Sequence, residues 1–181
     1  MTPSSEDLMR ALPHVLAAPK DGAAISHLCL RPVRNTRRFV DEIRLTKAQG
    51  IPGERWATQP WLRTIDGTPH PGIQVCIIPQ RVLDLVWSSE EDVLHPGDTF
   101  AADIDTSESN LPHGQLLTVG SAVLRVSDVF NDACVKWKAR YGSDAFDWIR
   151  APEHRALRLR GLLCSVEQDG VIGTGDKLRK V

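Results

Sequence analysis

Gln115-Leu116-Leu117-Thr118-Val119-Gly120-Ser121-Ala122-Val123-Leu124-Arg125-Val126-Ser127-Asp128-Val129 decides the fold class. Leu117 and Val119 before the Gly120-Ser121 dipeptide, and Val123, Leu124 and Val126 after it, supply the apolar positions of two short strands. A glycine-led pair of residues between such runs is a two-residue hairpin turn. The same pattern recurs on both sides. Ala23 to Leu30 predicts a strand closed by Pro32, and Phe39 to Thr46 alternates so that Ile43 and Leu45 share one buried face. Ile73 to Ile78 is a continuous apolar run and predicts a buried strand. Phe100 to Ile104 predicts an edge strand, Leu157 to Val166 a looser one, and Val171-Ile172 and Asp176 to Val181 the last strands, after the tight-turn dipeptide Asp169-Gly170.

Helical signals are few. Ser4-Ser5-Glu6-Asp7 is a helix start, with Leu8, Met9 and Leu12 behind it. Pro79 at a first helical position, followed by Val82, Leu83, Leu85 and Val86, predicts a short helix to Ser88. Asp144 to Ile149 predicts a single helical turn. Lys47 to Gly72 has no sustained period and reads as a long irregular segment, a kind that often carries function. Seven or eight short strands, two or three short helices, and no βαβ rhythm or repeat predict a mainly β protein. Its architecture is a β-barrel with a few short peripheral helices. The expected organisation is an N-terminal helix or arm over 1–22 and a barrel domain over 23–181.

Composition narrows the function. The 181 residues, 41% hydrophobic and 25% charged, suit one soluble domain. A net charge of −1 gives no general drive toward nucleic acid or membrane, and the five Trp residues form no array with basic partners. No apolar run is long enough to span a membrane, and no signal peptide is visible. The charges, however, are segregated. Arg31 to Arg63 carries eight Lys/Arg against three Asp/Glu, Asp84 to Asn110 carries eight Asp/Glu and no Lys/Arg, and Cys134 to Val181 carries ten against six. Two basic segments that meet in space would line a site for an anion; two solvated basic faces are the plain alternative.

The four cysteines form no C-x-x-C pair and have no histidine at zinc spacing, which suits free thiols in a reducing, cytoplasmic setting. Cys29, Cys76 and Cys164 sit inside apolar runs and read as small buried hydrophobes. Cys134 differs: Lys136, Lys138 and Arg140 follow it closely, and cations near a thiol favour the thiolate, the form that acts as nucleophile and soft ligand. A structural cysteine in a non-catalytic binding domain is the competing reading. A Cys–His hydrolase pair with His113 is a third. Asp103, Asp105 and Glu108 read as a solvated acidic edge, and Gly173 to Asp176 as a turn.

Several stretches, in order, resemble the MOSC domain, the family related to the C-terminal part of molybdenum cofactor sulfurases. Gly50-Ile51-Pro52-Gly53-Glu54-Arg55 resembles its G-[IL]-x-G-[DE]-[RK] element, and Gln74-Val75-Cys76-Ile77-Ile78 its Q-V-x-L-[IL] strand. Pro96 to Phe100 resembles the P-G-x-x-F turn, and Leu117 to Val126 the L-x-[IV]-G-x-A-x-L-x-V hairpin. Arg160-Gly161 and Asp169 to Asp176 resemble the family's ending, and Ala133-Cys134 stands where the family places its cysteine. The resemblance implies a barrel from Ala23 to Val181. It also implies a role in binding a molybdenum cofactor or carrying sulfur through Cys134, as metal ligand or catalytic thiol, with molybdopterin or a sulfur-donor protein as partner. Arg55, Lys136, Lys138 and Arg34 or Arg38 would supply cationic contacts. Some relatives are molybdenum-dependent reductases of N-hydroxylated compounds. Pyridoxal phosphate is not expected, because in the sulfurases it belongs to a separate domain. Ala102-Asp103, Ala133 and Trp56 stand where relatives often carry Glu-Asn, Pro and His, and the helical extension of some reductases is missing. Together these departures mark a stand-alone subgroup.

Overall fold

The computed structural model of the chain describes residues 2–88 and 93–181. Among these residues, eleven short strands and three α-helices follow one another: α1 (Ser5–Leu16), β1 (Ala23–Ser26), β2 (Cys29–Leu30), β3 (Arg38–Phe39), β4 (Glu42–Leu45), β5 (Val75–Pro79), α2 (Gln80–Val86), β6 (Phe100–Ala102), β7 (Leu116–Val119), β8 (Ala122–Val126), α3 (Val135–Arg150), β9 (Leu162–Gln168), β10 (Gly170–Gly173) and β11 (Lys177–Lys180). Seven of them close a barrel in the order β1-β11-β7-β8-β9-β5-β6, while β10 pairs with β4 and β2 with β3. Closure leaves this sheet no unpaired edge.

The hairpin forms as read, with Leu117 opposite Leu124 and Val119 opposite Ala122. Gly120 holds φ at +54°, and a Cβ there would lie 2.2 Å from the Val171 carbonyl oxygen, so the turn needs glycine twice over. Alternation then sorts the side chains. Ala122, Leu124 and Val126 point into the barrel, with Val75, Ile77, Phe100, Leu162, Cys164 and Leu178 around them. Ile43 and Leu45 are buried as their alternation predicts.

The continuous apolar run of β5 has a specific cause: both of its faces are covered. Val75 and Ile77 face the barrel interior. Ile78 faces a second core built from α1, α2 and α3, with Leu8, Val15, Val82, Leu83, Trp137, Tyr141 and Ile149. Cys76 faces a third, small cluster with Ile73 and Leu163. The N-terminal helix is capped by Ser4 and Asp7 and buries Leu8 and Val15 in the second core.

Four expectations are corrected. Ala23 to Leu30 is two strands, broken where His27 takes φ +52°. Phe100 to Ala102 is no edge: β6 lies between β1 and β5 with all three residues buried. It runs parallel to β5 through α2, so one crossover does exist in a chain that shows no βαβ rhythm. Asp169-Gly170 does not close a hairpin. There the chain leaves the barrel, and β10 pairs with β4 instead. The single turn expected over Asp144 to Ile149 is the second half of α3, which begins at Val135 and is interrupted at Gly142 (φ +90°).

Among the described residues no helix is long and apolar enough to cross a membrane. Glu90, Glu91 and Asp92 of the acidic segment lie outside the described residues.

Candidate functional site

A cleft of about 810 Å³ opens beside the barrel. Its floor is the outer face of β5 and β9, at Cys76 and Leu163. Its walls come from three separate stretches: the loop after β2, the segment from Arg55 to Trp61, and the segment from Phe130 to Tyr141. The two basic segments therefore do meet. Arg31, Arg34, Arg37 and Arg55 come from the first, and Lys136, Arg140 and Arg160 from the second, against Asp132 as the one lining carboxylate among the described residues.

These cations fall into two groups. Arg31 and Arg160 are compensated. The Arg31 guanidinium donates to the buried Glu54 carboxylate at 2.7 Å, and its main-chain N–H donates to the same group at 2.7 Å. Glu54 lies in the Gly50 to Arg55 element, so that element clamps the cleft's first wall. Arg160 donates to Asp98 at 2.8 Å, with Asp98 fully buried. Burial opposes the charge on Asp98, but the charge and hydrogen bond of Arg160 outweigh it and hold the carboxyl below its ordinary range. Arg34, Arg37, Arg55, Lys136 and Arg140 have no carboxylate partner among the described residues.

Cys134 lines the cleft, is exposed, and stands at the N-cap of α3 without capping the helix through its side chain. Cys76 lines the same cleft but is buried. Its thiol donates to Asp98 Oδ1 at 2.7 Å and accepts from Asn131 Nδ2 at 3.5 Å. Burial, and then the Asp98 charge, push its pKa up, so this thiol stays protonated. Reading Cys76 as a small buried hydrophobe missed its polar partners. Asp98 comes from the acidic segment and Asn131 from the far side of the hairpin, and nothing local announces either contact. All four cysteines are free.

Cys134, Arg34, Arg55 and Lys136 of the expected site line the cleft; Arg38 and Lys138 do not. The reason is directional. Arg38 lies in β3 opposite Leu30 and is exposed, whereas Arg37, just before the strand, donates to the His95 and Pro96 carbonyl oxygens and lines the cleft. Lys138 is two residues along a helix from Lys136 and sits 5.3 Å over the Phe146 ring, whereas Arg140, at the i+4 position, returns to the cleft face. The signal that finds Arg140 is the helical spacing of the buried Trp137, Tyr141, Ala145 and Trp148. No histidine lines the cleft among the described residues, and His113 stands in the exposed turn before β7, so a Cys134–His113 pair is not assembled. No three His, Cys, Asp or Glu side chains converge to hold a metal ion among the described residues. Asp103 pairs with Arg81 and Glu108 with Arg158.

No family model matches the chain, and no curated protein matches it in sequence. Solved structures do match. The YuaD protein from Bacillus subtilis superposes with a TM-score of 0.61 at 18% identity, over 86% of this chain and 93% of that one. YiiM from Escherichia coli gives 0.56 at 19%, over 88% and 69%, and YiiM from Geobacillus stearothermophilus 0.52 at 16%, over 87% and 75%. The likeness is one of fold. These neighbours agree with the mainly β barrel expected from the sequence.

Proposed function

We propose that this chain binds a molybdenum cofactor or a sulfur species in the cleft, with Cys134 as its ligand or sulfur carrier. The observation that carries the reading is an exposed thiol lining a cleft whose unpaired side chains are cationic. A thiolate is a soft ligand and a sulfur nucleophile, and unpaired guanidinium groups favour an anionic ligand. The residues present fit such a cofactor. Arg34, Arg55 and Lys136 would contact its phosphate or oxo groups, and Cys134 would hold the metal. With no preformed metal cluster among the described residues, the metal would arrive with its own donor groups. Bound molybdenum would supply two-electron chemistry, while the protein's own part is to hold, orient and charge-balance the ligand. A sulfur- or cofactor-donor protein is the partner this reading requires.

The test is metal and persulfide analysis of protein purified under reducing conditions, wild type beside Cys134→Ala. The expected result is molybdenum or persulfide in the wild type and its loss in the variant. Equal amounts in both would sink the proposal.

A further inference from the structure

Two cleft cations without a carboxylate partner among the described residues, Arg37 and Arg140, line the same space near enough to feel each other's charge. Arg37 is immobilised by main-chain carbonyls: Nε donates to His95 O at 3.0 Å, Nη2 to Pro96 O at 2.9 Å and Nη1 to Thr36 O at 2.9 Å. Its guanidinium lies flush against Gly97, where a Cβ would come within 2.4 Å of Nε. Carbonyl dipoles fix the group without cancelling its charge. Burial, and next to it the nearby charge of Arg140, push the Arg37 guanidinium below its ordinary pKa, as two cations facing one space require. Arg140 sits six residues beyond Cys134, about 9 Å along the α3 axis at helical rise.

A second observation points the same way. Trp137 and Arg55 line the cleft, and the Trp137 Nε1–H and the Arg55 Nε–H are buried with no hydrogen-bond partner. Trp137 is only 3% exposed. Both of these lining groups are donors, and a small oxyanion would supply the acceptor that each lacks.

We propose that the cleft accepts a sulfane-sulfur oxyanion of the thiosulfate class, with Arg37 and Arg140 holding its sulfonate end and Cys134 taking its outer sulfur. This rests on the reading of Cys134 as a sulfur carrier. In the step, the Cys134 thiolate attacks the outer sulfur and a new S–S bond forms. The S–S bond within thiosulfate breaks, and sulfite leaves with the electron pair. Cys134 becomes a persulfide, and its original thiol proton passes to solvent. The sulfane sulfur already carries the oxidation level, so no outside oxidant enters. The arginine pair meets the negative charge that develops on the departing sulfite, where fixed donors lower a barrier most.

The experiment mixes reduced full-length protein with thiosulfate and reads sulfite release together with the mass gain of one sulfur on the Cys134 peptide. The wild type should release stoichiometric sulfite, with inorganic phosphate as competitor. Cys134→Ala should release none. Arg37→Gln and Arg140→Gln should each slow release by about tenfold or more, the loss of a charge-assisted contact. Arg37→Lys, which keeps the charge but not the fork on the carbonyls, should fall between. Arg179→Gln, on exposed β11, should match wild type. Urea midpoints check folding, and Arg140→Gln alone carries the test if Arg37 variants unfold. No sulfite from wild type, or wild-type rates in both Gln variants, overturns the proposal. Protein that holds molybdenum or persulfide as isolated yet ignores thiosulfate overturns it as well, and leaves the carrier reading standing.

Discussion

Cys76 and Cys134 line the same cleft under opposite conditions. At the floor, Cys76 is buried, its thiol proton engaged by Asp98, and Asp98 is in turn neutralised by Arg160. Arg31 and Glu54 repeat this arrangement beside it. At the rim, Cys134 is exposed, its neighbours Lys136 and Arg140 have no carboxylate among the described residues, and Val135 beside it is 79% exposed. A folded chain leaves a buried charge unpaired only at large cost, so the floor is balanced because it is interior. Water solvates the rim at little cost, so its charges remain free for a ligand. The difference separates charges balanced within the fold from charges left to solvent.

Thiol labelling gives the widest separation between the two. In native protein at neutral pH, iodoacetamide should modify Cys134 about a thousandfold or more faster than Cys76, Cys29 or Cys164, which must wait for an opening of the fold. Peptide mass mapping over time reads this, and comparable rates at Cys76 and Cys134 would merge floor and rim.

Asp98→Ala comes next. It strands the Arg160 guanidinium in the interior and should cost about 3–5 kcal/mol in urea unfolding. A loss below about 1 kcal/mol would mean that the floor is not internally balanced.

Alkaline pH should act on the buried thiols. Burial pushes Cys164 up to about 12, well above the unfolded value near 8.5. The folded pKa is the higher one, so the neutral thiol's contribution is complete below about pH 8.5 and is lost as pH rises toward 12. The urea unfolding free energy should therefore decline from about pH 8.5, with Cys164 contributing up to about 2 kcal/mol of the loss at pH 10, so the decline should be shallower in Cys164→Ala. An identical decline in both proteins would remove the assignment to this thiol.

The smallest effect belongs to the rim. Arg34→Gln removes an exposed, unpaired charge and should leave stability within about 0.5 kcal/mol. A larger loss in the same urea assay would show that this charge has a structural partner.

Local periodicity made much of the barrel legible. The Leu117 to Val126 hairpin, the alternation of Ile43 and Leu45 and the run from Val75 to Ile78 each carry their own burial pattern. The α2 helix follows from Pro79 and the spacing of Val82, Leu83 and Val86. The α3 helix was harder to read. Gly142 interrupts it, and the basic run Lys136, Lys138 and Arg140 draws attention away from the buried stripe of Trp137, Tyr141, Ala145 and Trp148. Reading charge by sequence proximity placed Lys138 in the site and left Arg37 and Arg160 out of it.

The sequence by itself determined the strand-rich pattern, the tight turn at Gly120, the separation of basic and acidic segments, and one cysteine unlike the other three. Those properties depend on neighbours along the chain. Only the tertiary structure decided that β6 lies inside a closed barrel, that Asp98 from the acidic segment neutralises Arg160, and which cations face the cleft. Strand pleat and helical phase aim each side chain, and long-range packing decides what it meets. The thiol that local charge singled out does line the cleft. The arginines set beside it come from stretches about a hundred residues apart, which no local pattern brings together.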